Sequence, residues 1–379
     1  MTNSSPDLSW QPPAPMHLYI HVPFCVRACD YCAFYKLAGV NQQWHQRYFD
    51  GLEKEIAHRF PKAEEPFRSI YIGGGTPSFL EVGDWQRLVT ILNPAARLAA
   101  DGEFAVEANP VSLTDQKLAV WRQAGVNRVT LGLQTFSDRL RAMIGRAGSA
   151  ERVPAIVRKL RATGFANIGL DLIYGIPGQT MAELDEDLKR IQDLNPDHVS
   201  AYSLILEPGT PLARRLTSEA DDELSVAMWE RIGELLGTIG LERYEVSNLA
   251  RPGYECHHNV DIWYGARFYG LGPSAAWFSG QSRWTNVPDL DQWLAGKSPA
   301  EDSLSAEERA AEIFASGLRT THGWSADLFA ERTGFALPTF RPQEVAALVQ
   351  QGLLQWQDTR LQPTYRGLLF ADYIARELL

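Results

Sequence analysis

Cys25, Cys29 and Cys32 fall within eight positions of the stretch "FCVRACDYCAF", residues 24 to 34, and the chain's remaining cysteine, Cys256, is far away in sequence. Thiolates at i, i+4 and i+7 on a loop can meet at one inorganic centre, and zinc and an iron–sulfur cluster are the two candidates. Structural zinc takes four ligands, often as two CxxC-like pairs, and only Cys256 is left to complete such a set. A [4Fe–4S] cluster has four irons, so three cysteines leave one iron open to a substrate or cofactor. On that reading the missing fourth cysteine is a requirement of the chemistry.

Other polar and glycine-rich features fall at the ends of expected strands. The cysteine loop follows "LYIHV", and "GGGTPS" (Gly73 to Ser78) follows the run "SIYI". Glu107 ends "EFAVEAN", Gln134 ends "RVTLGLQ", and Asp171 with "GIPGQ" lies on and after "NIGLDLIYG". The C-terminal edge of a parallel sheet is where barrel and open α/β sites are assembled. Three consecutive glycines let backbone amides and carbonyls approach a ligand without obstruction by Cβ atoms. Alternation along the first strand puts Tyr19 and His21 on one face.

The elements that position these residues follow from the apolar pattern. The runs above, with "HVSAYSLIL" and a doubtful "RYEVSN", alternate with amphipathic stretches such as "WHQRYFDGLEKEIAHRF", "DQKLAVWRQAG" and "MAELDEDLKRIQDL". This rhythm predicts parallel βα units whose strands are covered on both faces. Six good strands fall short of eight, so the expectation is an α/β chain with a partial (β/α)6 TIM-like barrel over residues 17–285, with a doubly wound sheet as the rival. Residues 286–379 are expected to form a small α-helical, winged-helix-like domain: three helices, a hairpin in "LLQWQDTRLQPT" and a closing helix. Residues 1–16, rich in proline, read as a flexible tail.

Composition narrows the partners. The chain has 379 residues, 45% of them apolar, and a net charge of −10. The expected C-terminal domain carries 13 acidic against 8 basic residues, or −5, which is the wrong sign for gripping phosphates. No nucleic acid is expected as a partner. The opening lacks a signal-peptide pattern and no apolar run is long enough to span a bilayer, so the expectation is a cytoplasmic protein, not integral to a membrane but free to visit its surface.

Cys-x3-Cys-x2-Cys in a loop directly after a first β-strand resembles the radical S-adenosylmethionine (SAM) enzymes. The resemblance implies that the three cysteines ligate a [4Fe–4S] cluster whose open iron is chelated by SAM. It further implies that Gly74, Gly75 and Thr76 belong to the segment that binds the SAM amino group. Glu107, Gln134, Arg146 (in "IGRAG") and Asp171 match SAM-contacting positions of the coproporphyrinogen oxidase branch. Their types suit the task, since carboxylates accept from ribose hydroxyls and an arginine pairs with a carboxylate. "YIHVPFC" adds Tyr19 beside the cofactor and His21 near the cluster or donating to the ligand.

Within that group the whole chain is most similar to the haem-chaperone, HemW-type branch. The oxidases carry a further cysteine two residues after the third; here Phe34, counted with the cofactor contacts, stands in its place. "ECHHNVDIWYG" (residues 255 to 265) is similar to the His-Asn-x-x-Tyr-Trp motif of the chaperones, with His258, Asn259 and Trp263 matching and Ile262 where tyrosine is usual. A histidine is a good haem ligand and an aromatic can cover a porphyrin face, so these three are the haem candidates, with His257 and Cys256 as substitutes. Gly148 stands where many relatives have histidine. The resemblance therefore implies a protein that binds cluster, SAM and haem and delivers haem to respiratory haemoproteins. The alternative is oxygen-independent coproporphyrinogen III oxidase, a radical decarboxylation that the phenylalanine at 34 argues against; SAM cleavage itself is left open.

Overall fold

The computed structural model describes residues 17–59, 65–216 and 221–379; the expected tail, residues 1–16, lies outside them. Six strands run parallel in sequence order: β1 (His17–Val22), β2 (Phe67–Gly74), β3 (Leu98–Ala108), β4 (Arg128–Gln134), β5 (Asn167–Tyr174) and β6 (His198–Ser203). Helices Gln42–Arg59, Val82–Leu92, Asp115–Gln123, Val153–Ala162, Met181–Leu194 and Asp222–Gly237 follow these strands in turn. This is the expected partial barrel. The strands read as nearly unbroken apolar runs because both faces are covered. In β1, for example, only Tyr19 is not fully buried.

The sheet is larger than the six strands. Phe268–Leu271 pairs parallel to β1 on the side away from β2, and the antiparallel strands Ala276–Phe278, Ser282–Thr285 and Ala300–Ser303 continue that edge. At the other edge the doubtful "RYEVSN" strand is two short antiparallel pieces, Glu242–Arg243 and Asn248–Ala250, the latter paired with β6. The described residues thus contain one twelve-stranded sheet.

One apolar cluster joins the strands to the flanking helices, with Trp85 packing edge-on against Trp121 between successive helices. A second lies beyond the sheet around Phe314, Trp324, Phe329 and Phe340. It is built from helices Ala306–Gly317, Ala326–Thr333 and Pro342–Gln350, the hairpin Leu354–Gln357/Arg360–Pro363, and a C-terminal helix broken at Phe370 into Tyr365–Leu369 and Ala371–Leu378.

Candidate cofactor site

A cavity of about 670 Å³ opens at the C-terminal ends of the parallel strands, and Cys25, Cys29 and Cys32 all line it. The cysteine loop is pinned to the strand ends. Gly75 N–H donates to the Val22 carbonyl (2.8 Å), Thr76 N–H donates to the Phe24 carbonyl (2.7 Å), and the Thr76 hydroxyl lies 3.3 Å from Cys25 Sγ. Burial pushes the Cys25 thiol up, against the hydrogen bond to Thr76.

Each glycine of the "GGG" stretch is fixed by a different neighbour. A Cβ on Gly73 would stand 2.9 Å from the Glu107 carboxylate, one on Gly74 2.6 Å from the His21 ring, and one on Gly75 2.8 Å from the Val22 and Phe24 carbonyls. Gly74 also has φ +106°, which side chains bearing a Cβ rarely adopt. The stretch therefore brings β2, the cysteine loop and the acid of β3 to close contact.

Glu107 accepts from the Tyr71 hydroxyl (2.8 Å) and from Gly74 N–H (3.2 Å), yet burial still raises its pKa. Asp171 faces the same cavity; burial, then the charge of Glu107, push it up to about 7, against the Ser200 hydroxyl and two arginines. Arg146 is the cation at this level. It donates to the Gly132 carbonyl (2.7 Å), reaches Cys29 Sγ (3.6 Å), and leaves Nε buried with no partner. Gln134 sits at a register shift at the end of β4 with φ +71°, a bulge that turns its side chain into the cavity wall.

Tyr19 and His21 share one face of β1, as alternation predicts. His21 Nε2–H donates to the Tyr35 carbonyl (2.9 Å), so Nδ1 is left to accept from the Tyr19 hydroxyl (3.1 Å), and burial keeps the ring neutral. Phe34 stands at the cavity mouth, 69% exposed.

The haem candidates are dispersed. Asn259 lines the cavity. His258 is buried beside it, with Nδ1 2.6 Å from Ser69 Oγ and the ring stacked on Tyr71 at 5.0 Å; burial lowers its pKa to about 3. Trp263 lies under the Arg319 guanidinium, 4.9 Å from the ring centre. The substitute Cys256 lines the cavity, while the backbone N–H groups of His257 and His258 donate to Glu103.

Sequence reading missed the floor of the cavity. Arg128, Thr130, His198 and Ser200 line it, and Arg128 pairs with Glu103 at 3.4 Å, both side chains nearly inaccessible. The available signal was a charged residue opening a strand buried on both faces, because such charges are almost always paired or functional.

Comparison with known proteins gives the family and the fold. Residues 19–191 match the model of the Radical SAM superfamily, and residues 304–370 that of the HemN C-terminal domain. The heme chaperone HemW of Bacillus subtilis (strain 168) is 34% identical over 368 residues, covering 94% of this chain and 97% of that protein. The heme chaperone HemW of Escherichia coli (strain K12) is 31% identical over 365 residues, 94% and 96% of the two chains. The solved structure of coproporphyrinogen III oxidase (HemN) from Escherichia coli superposes with a TM-score of 0.85 over 98% of this chain and 91% of that one, at 24% identity, and so confirms the fold. The chain belongs to the oxygen-independent coproporphyrinogen III oxidase-like family of radical SAM proteins, in its HemW-type branch.

Proposed function

We propose that this chain is a haem chaperone that holds a [4Fe–4S] cluster through Cys25, Cys29 and Cys32, binds SAM, and delivers haem to respiratory haemoproteins from the cytoplasm. The observation that carries the proposal is that all three cysteines line one cavity with Arg146, Glu107 and Asp171, in a chain whose relatives over almost its whole length are named heme chaperones. Among the described residues no three His, Cys, Asp or Glu side chains are close enough to share a single metal ion. Thiolates that each bind a different iron do not have to be.

The residues suit SAM. Arg146, with a buried Nε lacking a partner, offers donors to a carboxylate next to Cys29. Glu107 and Asp171 supply acceptors for an ammonium group and for ribose hydroxyls, and the glycine stretch leaves the room that a Cβ would fill. When bound, the cluster supplies an open iron for SAM and one electron for its cleavage. The chain itself contributes orientation, a low-dielectric wall and the neutral His21–Tyr19 pair that braces the loop. No described helix is long and apolar enough to cross a membrane.

The test is an anaerobic incubation of cluster-reconstituted protein with SAM, a reductant and coproporphyrinogen III, followed by haem transfer to a respiratory apoprotein. Haem transfer without protoporphyrinogen formation is expected. Protoporphyrinogen formed with stoichiometric 5′-deoxyadenosine would make the chain an oxidase despite Phe34. Iron and sulfide retained after all three cysteines are replaced by alanine would remove the cluster assignment.

A further inference from the structure

The mouth of the cavity is unusually apolar. Among the described residues ten large hydrophobic side chains are exposed, and five of them line this one cavity: Val26, Phe34, Val111, Tyr202 and Ile205. They come from three separate parts of the chain: the cysteine loop, the turn after β3, and the end of β6 with the segment beyond it. The patch therefore rings the opening. Clusters of this kind mark a surface that something else covers.

The charges around the rim are uneven. Arg27, between the apolar side chains of the cysteine loop, is exposed and makes no ion pair. Lys36 is engaged instead in holding that loop, with Nζ donating to the carbonyls of Cys32 (2.6 Å) and Phe34 (3.0 Å). Glu207 is the exposed acid of the lining, two residues past Ile205 on the side of β6. A flat apolar ligand bearing carboxylates would thus be drawn with its acidic edge toward Arg27.

We propose that this rim seats the tetrapyrrole. The macrocycle lies across the mouth against Phe34, Val26, Val111 and Ile205, with a propionate on Arg27. The inference rests on the haem-chaperone reading above and gives it a place in the fold that differs from the His258 motif. His198 is the histidine of the lining, and it is on the floor, 2% exposed, with Nε2 against the Tyr244 hydroxyl. His258 is bonded to Ser69 and walled in by Tyr71. The plate is therefore held by its face and its carboxylates, without a histidine on the iron. That arrangement suits a cargo that must be released. It also assigns a purpose to Phe34, whose ring is among the most exposed apolar groups of the protein.

The experiment titrates cluster-reconstituted protein, anaerobically, with metal-free protoporphyrin IX (by fluorescence) and with haemin (by Soret difference spectra). Both are expected to bind the parent protein with affinities within about threefold of each other, because the iron is not the handle. Phe34→Ala and Arg27→Glu should each weaken both by about tenfold, the loss expected for one anchor side chain. His258→Ala and Trp356→Ala, the latter at an exposed apolar residue away from the mouth, should leave both unchanged. Phe34→Ala, Arg27→Glu and Trp356→Ala, all at exposed positions, should unfold at the parent temperature, whereas His258→Ala, in the core, is titrated well below its own lowered midpoint. Haemin binding that is absent for the metal-free ring and lost in His258→Ala would overturn the rim site while leaving the chaperone reading intact. If neither tetrapyrrole binds the parent protein, the chaperone reading itself fails. If the rim variants keep both tetrapyrroles but lose capture by the recipient haemoprotein, the rim is a protein-docking surface and the proposal is wrong.

Discussion

Asp171→Asn should make the cluster-free protein more stable at pH 8 than its parent, and this gain should fade toward pH 5. In the folded chain, burial and the neighbouring Glu107 raise Asp171 from its ordinary value of 3.8 to about 7. A raised acid contributes stability that is fully present below the unfolded value. That stability is lost as the pH rises through the folded value, because the folded chain must then ionise a carboxyl where charge is disfavoured. At about 1.4 kcal/mol per pH unit, the interval from pH 5 to about 7 is worth up to about 3 kcal/mol. The carboxyl borders a cavity that water enters, which reduces the expectation to roughly 1.5 kcal/mol. Asparagine keeps the shape and never ionises. The assay is urea unfolding of parent and variant at pH 5 and pH 8, and the quantity that matters is the change in their stability difference between the two. A difference that does not depend on pH would refute the argument that this acid is held neutral by the fold. SAM binding should be weakened in the variant at both pH values.

Three further substitutions test the frame around the cavity. Gly74→Ala puts a methyl group 2.6 Å from the His21 ring at φ +106°, and should cost about 2–4 kcal/mol by thermal unfolding, whereas Gly83→Ala, in a helix with nothing within 4 Å, should stabilise by about 0.5–1 kcal/mol. Arg128→Met leaves Glu103 buried without its cation and should cost about 3–5 kcal/mol; adding Glu103→Gln should recover much of that loss in a double-mutant cycle. His258→Ala removes a buried ring stacked on Tyr71 and a hydrogen bond to Ser69, so chemical denaturation should show a loss of about 2–4 kcal/mol while reconstituted iron and sulfide stay at parent levels.

What could be read from the sequence was what is local along the chain. β1 to β6 were legible because strands buried on both faces are apolar runs, and the polar residues ending them stand out against that background. Phe268–Leu271 was missed: it is four residues long, and its Gly270 is pressed so closely on the Ala276 carbonyl that a Cβ would lie 1.9 Å from the oxygen. The doubtful "RYEVSN" could not be one strand, because Tyr244 turns inward to hydrogen-bond His198 and Cys256 N–H, while Glu245 bridges to Thr320. The cavity floor was illegible for a different reason. Arg128, Thr130, His198 and Ser200 come from β4 and β6, and they share one cavity only because β5, between those strands, helps curve the sheet into a barrel. Spacing along the chain carries no trace of that closure.

The same distinction explains why the "HHNVDIW" motif looks different in the structure than in the sequence. As a string it gathers a histidine, an amide and an indole into one ligand-like group. As the helix His257–Trp263 it distributes them along a strut. Glu103 of β3 accepts from the N–H groups at its start, Asn259 and Cys256 form cavity wall, and His258 locks through Ser69 to His17 of β1. At its other end Trp263 lies beneath Arg319, and the Tyr264 hydroxyl contacts Thr320 Oγ1 (2.5 Å) and donates to the Gly323 carbonyl (2.9 Å). Gly265 then passes so close to Ile313 that a Cβ would come within 2.8 Å of it. One short rigid element therefore ties the wall of the cavity to the C-terminal unit. A displacement of that unit along the strut would move Asn259 and Cys256 with it, which gives these residues a mechanical reason to occupy consecutive turns even where none of them touches a ligand.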